Sequence, residues 1–102
     1  MNDPILLANK LAELIQLAKE ASTGFEKAAV YSATSCILKK FYDVEGKFDS
    51  YVLEKAAGTC SHINAVIGFD VDNGHDKSSH ISWACGDLMT LKSLLNERAE
   101  NV

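Results

Sequence analysis

Residues 25–42 read FEKAAVYSATSCILKKFY, and the helical phase of this stretch decides the fold. At helical spacing Val30, Ile37 and Phe41 form one stripe, and Tyr31, Leu38 and Tyr42 form another. A third stripe carries Phe25, Ala28, Ala29, Ser32, Ala33 and Cys36. Only Lys27 and Thr34 mark a clear polar seam. A helix that is apolar nearly all round must be enclosed by its neighbours or must meet another chain. We expect the third stripe to face inward, since its mostly small side chains allow close helix approach. The other two stripes then become a surplus that a chain of 102 residues has trouble hiding.

The start of this helix has a local signature. Thr23 and Glu26 have the spacing of a capping box, in which each side chain satisfies the other residue's orphan N–H. The helix is expected over about 24–42. One unbroken helix through Gly24 is the rival reading, at about 1 kcal/mol relative to Ala.

Upstream, Asp3-Pro4 is a helix start: Asp caps free N–H groups, and Pro at the first helical position loses no needed donor. Leu7, Leu11, Leu14, Ala18 and Ala21 then repeat at alternating spacings of four and three, widened by Leu6, Ala8, Ile15 and Leu17. Asn9, Glu13, Gln16 and Glu20 collect on the other side. An amphipathic helix is expected over about 4–21.

Downstream, Asp43-Val44-Glu45-Gly46 reads as a short connection. A helix over about 47–67 would turn Phe48, Val52, Ala56, Thr59, Ile63 and Val66 inward, flanked by Tyr51, Cys60 and Ile67. Residues 68–78 form the one long loop, rich in turn-tolerant residues. Ser78 or Ser79 can cap a last helix over about 79–99. Ile81, Cys85, Leu88, Leu95 and Ala99 would face inward, with Ala84 and Leu91 beside them. Trp83 and Leu94 would share an outer face. The segments 65–71 and 80–85 also fit a short hairpin, because brief apolar runs do not separate strand from helix. The fold class expected is therefore all-α, an antiparallel four-helix bundle in one domain spanning 1–102. The alternative is an α+β fold with a hairpin at about 65–85.

Apolar residues make up 47% of the chain, charged residues 24%, and the net charge is −4. Lys39-Lys40 is the only basic pair, too little for a phosphate-binding face, so nucleic acid is not an expected partner. Lys10 and Glu13 interrupt the first apolar run, so neither a signal peptide nor a membrane span is expected. Cys36, Cys60 and Cys85 are odd in number and scattered, which suits a reducing cytoplasm. All three are expected as small buried side chains.

Catalytic signatures are missing. Cys60 and His62 lie two apart, a spacing that does not bring side chains together on a helix. No Gly-rich phosphate loop and no Gly-x-Ser-x-Gly occurs. Asp70, Asp72, Asn73, Gly74 and Asp76 suggest a calcium loop. Counted from Asp70, however, His75 stands where Gly is needed and Ile81 where Glu is needed. His62, His75 and His80 form a weak candidate metal set without a zinc-knuckle spacing. Gly24-Phe25-Glu26-Lys27-Ala28-Ala29 resembles the first hairpin of small ferritin-like domains, a likeness covering about a third of the chain. A carboxylate di-metal centre needs Glu-x-x-His, and no Glu here is followed by His three places on, so no site is carried over.

The expected function is a small non-catalytic protein-interaction domain of regulatory, adaptor, inhibitor or immunity type. No cofactor is expected. The partner would be a protein or a second copy, most simply in a homodimer. Its interface would use Tyr31, Leu38, Phe41, Tyr42, Trp83 and Leu94. The alternative is a small-molecule or metal-binding helical domain using the 68–80 loop and nearby His and Cys.

Overall fold

A computed structural model describes the backbone of residues 3–43, 48–69 and 74–100, and side chains as far as Glu97. Four helices account for nearly all of it: α1 (Pro4–Glu20), α2 (Gly24–Asp43), α3 (Ser50–Val66) and α4 (Lys77–Glu100). No strand occurs among the described residues. The segment 80–85, the second arm of the alternative hairpin, is helical.

Local chemistry sets the helix ends. Asp3 accepts from the Ile5 N–H at 3.0 Å, with Pro4 opening α1. The capping box forms as expected: Glu26 N–H donates to Thr23 Oγ1 at 3.0 Å, and Thr23 N–H donates to Glu26 Oε1 at 3.0 Å. α1 and α2 are thus separate helices. α3 starts three residues later than expected, because Asp49 caps it through the Val52 N–H at 3.0 Å. The expected connection at 44–46 lies outside the described residues. α3 ends where Gly68 takes φ +80. There the Phe69 N–H reaches Asn64 O at 2.8 Å and the Gly68 N–H reaches Ala65 O at 3.1 Å. This double bond pattern needs a left-handed residue, which Gly supplies without a Cβ clash. α4 is capped not by Ser78 or Ser79 but by Asp76, which accepts from the Ser79 N–H at 2.8 Å and the Ser78 hydroxyl at 3.0 Å.

The helices alternate in direction. Leu17 and Glu20 share a groove with Phe25 and Ala29, whereas Leu6 and Lys10 share one with Cys36 and Lys40. Thr34 pairs with Asn64, and His62 with His80, across the next two hairpins. α3 and α4 pack most extensively. Among the described residues, α2 and α4 lie diagonally with no close approach. Leu7, Leu11, Leu14, Ile37, Phe41, Val52, Ile63, Leu88, Leu91 and Leu95 supply the bulk of the core.

Two helices are rotated from expectation. α2 buries Val30, Thr34, Ile37 and Phe41, and leaves Phe25, Ala28, Ala29, Ser32 and Cys36 exposed. The large side chains Val30, Ile37 and Phe41 go to the core in place of the small stripe, each worth about 1.5–3 kcal/mol on burial. A polar clasp accompanies them: Thr34 Oγ1 lies 2.9 Å from Asn64 Oδ1 and 2.8 Å from Tyr31 O, and Cys60 Sγ donates to Thr34 O at 3.7 Å. One hydroxyl proton serves one acceptor at a time. Turning the Asn64 amide lets it donate to Thr34 Oγ1 while the hydroxyl donates to Tyr31 O. α4 buries His80, Ala84, Leu88, Leu91 and Leu95, so Cys85 faces outward. The side chain of Ala99 lies outside the described residues. Of the three cysteines only Cys60 is buried, which corrects the expectation for Cys36 and Cys85. Burial pushes the Cys60 thiol up to about 12.

Candidate functional site

The expected interface residues do not form one patch. Phe41 is 1% exposed and sits in the core, with its ring 5.9 Å from Phe48, so it is no surface anchor. Leu38 and Leu94 are partly buried against the core. Tyr31 and Tyr42 are exposed on α2, and Tyr31 leans on Phe69 with centroids 5.3 Å apart. Trp83 is exposed on α4, the helix diagonal to α2.

Exposed apolar side chains occur on several faces, Met89 on α4 among them, and the face between α1 and α2 carries Phe25, Leu6 and Leu17. Phe25 is 84% exposed, Leu6 54% and Leu17 52%. Two cavities of about 330 Å³ each run along this face and meet at Ala33. The first is walled by Leu14, Leu17, Phe25, Ala29 and Val30, with Glu20 and Glu26 at its rim. The second is walled by Leu6, Leu7, Cys36 and Ile37, with Asp3, Lys10 and Lys40 at its rim. The small side chains Ala29, Ala33 and Cys36, expected to admit a helix within the bundle, leave an open trough on its outside. The charge is polarised along this trough. Glu26 accepts from the backbone and hydroxyls of Thr23 and Ser22, which lowers its carboxyl to about 2 and keeps that end anionic. At the other end, Asp3 is engaged in capping α1.

A second cluster brings together the candidate set His62, His75 and His80, and adds Trp83, Asp87 and Lys55, which the sequence reading did not place with them. His62 on α3 and His80 in the first turn of α4 bring their Nδ1 atoms to 3.2 Å. His75, just before α4, stands edge-on to Trp83 with centroids 4.8 Å apart. Trp83 lies 5.5 Å from the His62 ring and 5.4 Å from the His80 ring. Asp87, one turn beyond Trp83, places Oδ2 3.9 Å from His62 Nε2 and Oδ1 3.5 Å from Lys55 Nζ. Gly58 makes room for that carboxylate, since a Cβ there would lie 2.5 Å from Asp87 Oδ2. Val71 is midway in sequence between His62 and His80, and also between Lys55 and Asp87. Equal distance from the loop centre is the signal that pairs them in an antiparallel hairpin.

Among the described residues no group of three or more His, Cys, Asp or Glu side chains is arranged to hold a metal ion. Of the suggested calcium loop, Asp70, Asp72 and Asn73 lie outside the described residues, and Asp76 caps α4. The Ser79 hydroxyl and N–H, with the Ser78 hydroxyl, hold the Asp76 carboxyl below its usual range. No described helix is long and apolar enough to cross a membrane. Comparison with family models, with curated proteins and with solved structures finds no match.

Proposed function

We propose that this chain is a self-associating helical interaction module that pairs with a second copy through its α1–α2 face. The observation that carries the reading is Phe25, an aromatic side chain left 84% exposed beside an apolar trough. Trough, exposed Leu6 and Leu17, and Phe25 together form a contiguous apolar strip, which is the mark of an interaction surface rather than of scattered exposed residues. The strip fits a second copy because its ends carry opposite charge. A two-fold axis across the trough sets the Glu20–Glu26 end of one copy against the Lys10–Lys40 end of the other. A self-complementary patch is what a two-fold interface requires.

Sedimentation velocity from low to high micromolar concentration tests the proposal. The expected result is a monomer–dimer equilibrium weakened by salt and abolished by Leu17→Glu, with Trp83→Ala without effect. Alkylation of Cys36 should slow as the dimer forms, while that of Cys85, outside the trough, should not. A monomer throughout, or association indifferent to Leu17→Glu, overturns the reading.

A further inference from the structure

We propose that His62 and His80 form a two-imidazole clip for a borderline divalent transition-metal ion such as Zn²⁺, Ni²⁺ or Cu²⁺, bound through both Nδ1 atoms. The geometry comes first. Two nitrogens each at about 2.0–2.1 Å from a tetrahedral ion stand about 3.3 Å apart. The His62 and His80 Nδ1 atoms are 3.2 Å apart. The spacing is held by the best-packed helix pair of the bundle, so the ion need not gather its ligands from a loop. His80 is buried and His62 is partly so, which shields the clip from bulk water. Solvent or a further donor then completes the coordination.

The tautomers also suit the role. Asp87 lies on the Nε2 side of His62, at 3.9 Å, and favours the proton there. The His62 Nδ1 lone pair therefore points at His80. Without metal, one Nδ1–H is shared between the two rings, and with the His62 proton on Nε2 it belongs to His80. On metal binding His80 becomes the Nε2–H tautomer by exchange with water, and each imidazole stays neutral and keeps one proton. The borderline character of imidazole nitrogen selects zinc, nickel and copper over magnesium or calcium.

Trp83 is the built-in reporter, within ring-contact distance of both ligands. The test uses tag-free, chelator-treated Cys36→Ser/Cys85→Ser protein, which removes the two exposed thiols as competing ligands. Titration with Ni²⁺ or Cu²⁺ should quench Trp83 saturably at one equivalent, and Zn²⁺ should raise Tm. His62→Ala and His80→Ala should each weaken the quenching affinity by about tenfold or more. Because His80 is buried, circular dichroism verifies the fold of each variant. The ring ¹⁵N resonances of His62 in the otherwise intact protein give a second reading, with Zn²⁺ shifting Nδ1 rather than Nε2. No saturable quenching, equal affinity in His62→Ala, or an Nε2 shift overturns the clip. The oligomeric state does not enter this measurement, so its outcome is separate from that of the dimer.

Discussion

Replacing Thr34 by Val removes one hydroxyl from a site that is 0% exposed and leaves the shape of the side chain intact. The methyl that takes its place fits the same volume, so no cavity opens. The cost falls on Asn64, itself buried, whose amide loses the Thr34 Oγ1 at 2.9 Å. A buried polar group stripped of its partner costs about 1–3 kcal/mol. Tyr31 O is a helical carbonyl and loses only a second donor. A figure of about 2 kcal/mol corresponds to a fall in Tm of about 8–16 °C for a domain of this size. Urea unfolding followed by far-ultraviolet circular dichroism and by Trp83 fluorescence measures it. The pair offers an internal control. Asn64→Leu alone should cost less than Thr34→Val, because the Thr34 hydroxyl keeps Tyr31 O at 2.8 Å. The double variant should recover to within about 1 kcal/mol of wild type, since removing both partners leaves nothing unpaired. If Thr34→Val is neutral, or the two changes simply add, the Thr34–Asn64 pair does not stabilise the packing of α2 on α3.

Three further outcomes follow from the same geometry. Glu26 has a carboxyl held at about 2 by the Thr23 and Ser22 donors, against an ordinary 4.5, so its contribution is present above pH 4.5 and lost as pH falls toward 2. Thermal melts across that window should fall more steeply for wild type than for Glu26→Gln. Gly58→Ala should be close to neutral, because the gain of about 1 kcal/mol in helix propensity is offset by pushing the Asp87 carboxylate from Lys55 and His62. In an Asp87→Ala background the full gain should appear in chemical denaturation. Finally, native protein dilute enough to be monomeric should show two fast thiols, Cys36 and Cys85, whereas Cys60 reacts only on unfolding, as mass-resolved alkylation would report.

Helix existence was readable wherever the signal was local. Asp3-Pro4 and the Thr23–Glu26 box each carry their own partners within four residues, and both ends form as read. Helix rotation was not local. In α2 the stripe of Val30, Ile37 and Phe41 carries the larger side chains and is the one buried, while the partners that satisfy Thr34 beside it, Asn64 and Cys60, lie on another helix. Taking Thr34 as an outward polar seam was reasonable from composition and wrong, because its hydroxyl is satisfied inside. In α4 the inward row runs His80, Ala84, Leu88, Leu91 and Leu95, with His80 paired to His62, and Cys85 falls one position outside that row. The association surface moved with α2: the stripe read as interior became the open trough, and Phe41, read as an anchor, became core.

That exchange of faces makes Phe25 the residue on which the functional reading turns. At 84% exposure it contributes almost nothing to the folded monomer, so Phe25→Ser should leave the urea midpoint of dilute protein unchanged. Burying a fully exposed Phe side chain is worth about 1.5–3 kcal/mol. A two-fold interface counts each position twice, so the same substitution removes about 3–6 kcal/mol from dimer formation. Kd should therefore rise by at least about a hundredfold, at 1.4 kcal/mol per factor of ten. Tyr31→Ser gives the contrast: Tyr31 is exposed but lies on the α2–α3 side against Phe69, away from the trough, and its loss should leave Kd unchanged. Dilution sedimentation of the two variants distinguishes the trough from the rest of the apolar surface of α2. A Tyr31→Ser variant that dissociates while Phe25→Ser does not would move the interface to the other side of the helix and refute the two-fold arrangement of opposite charges.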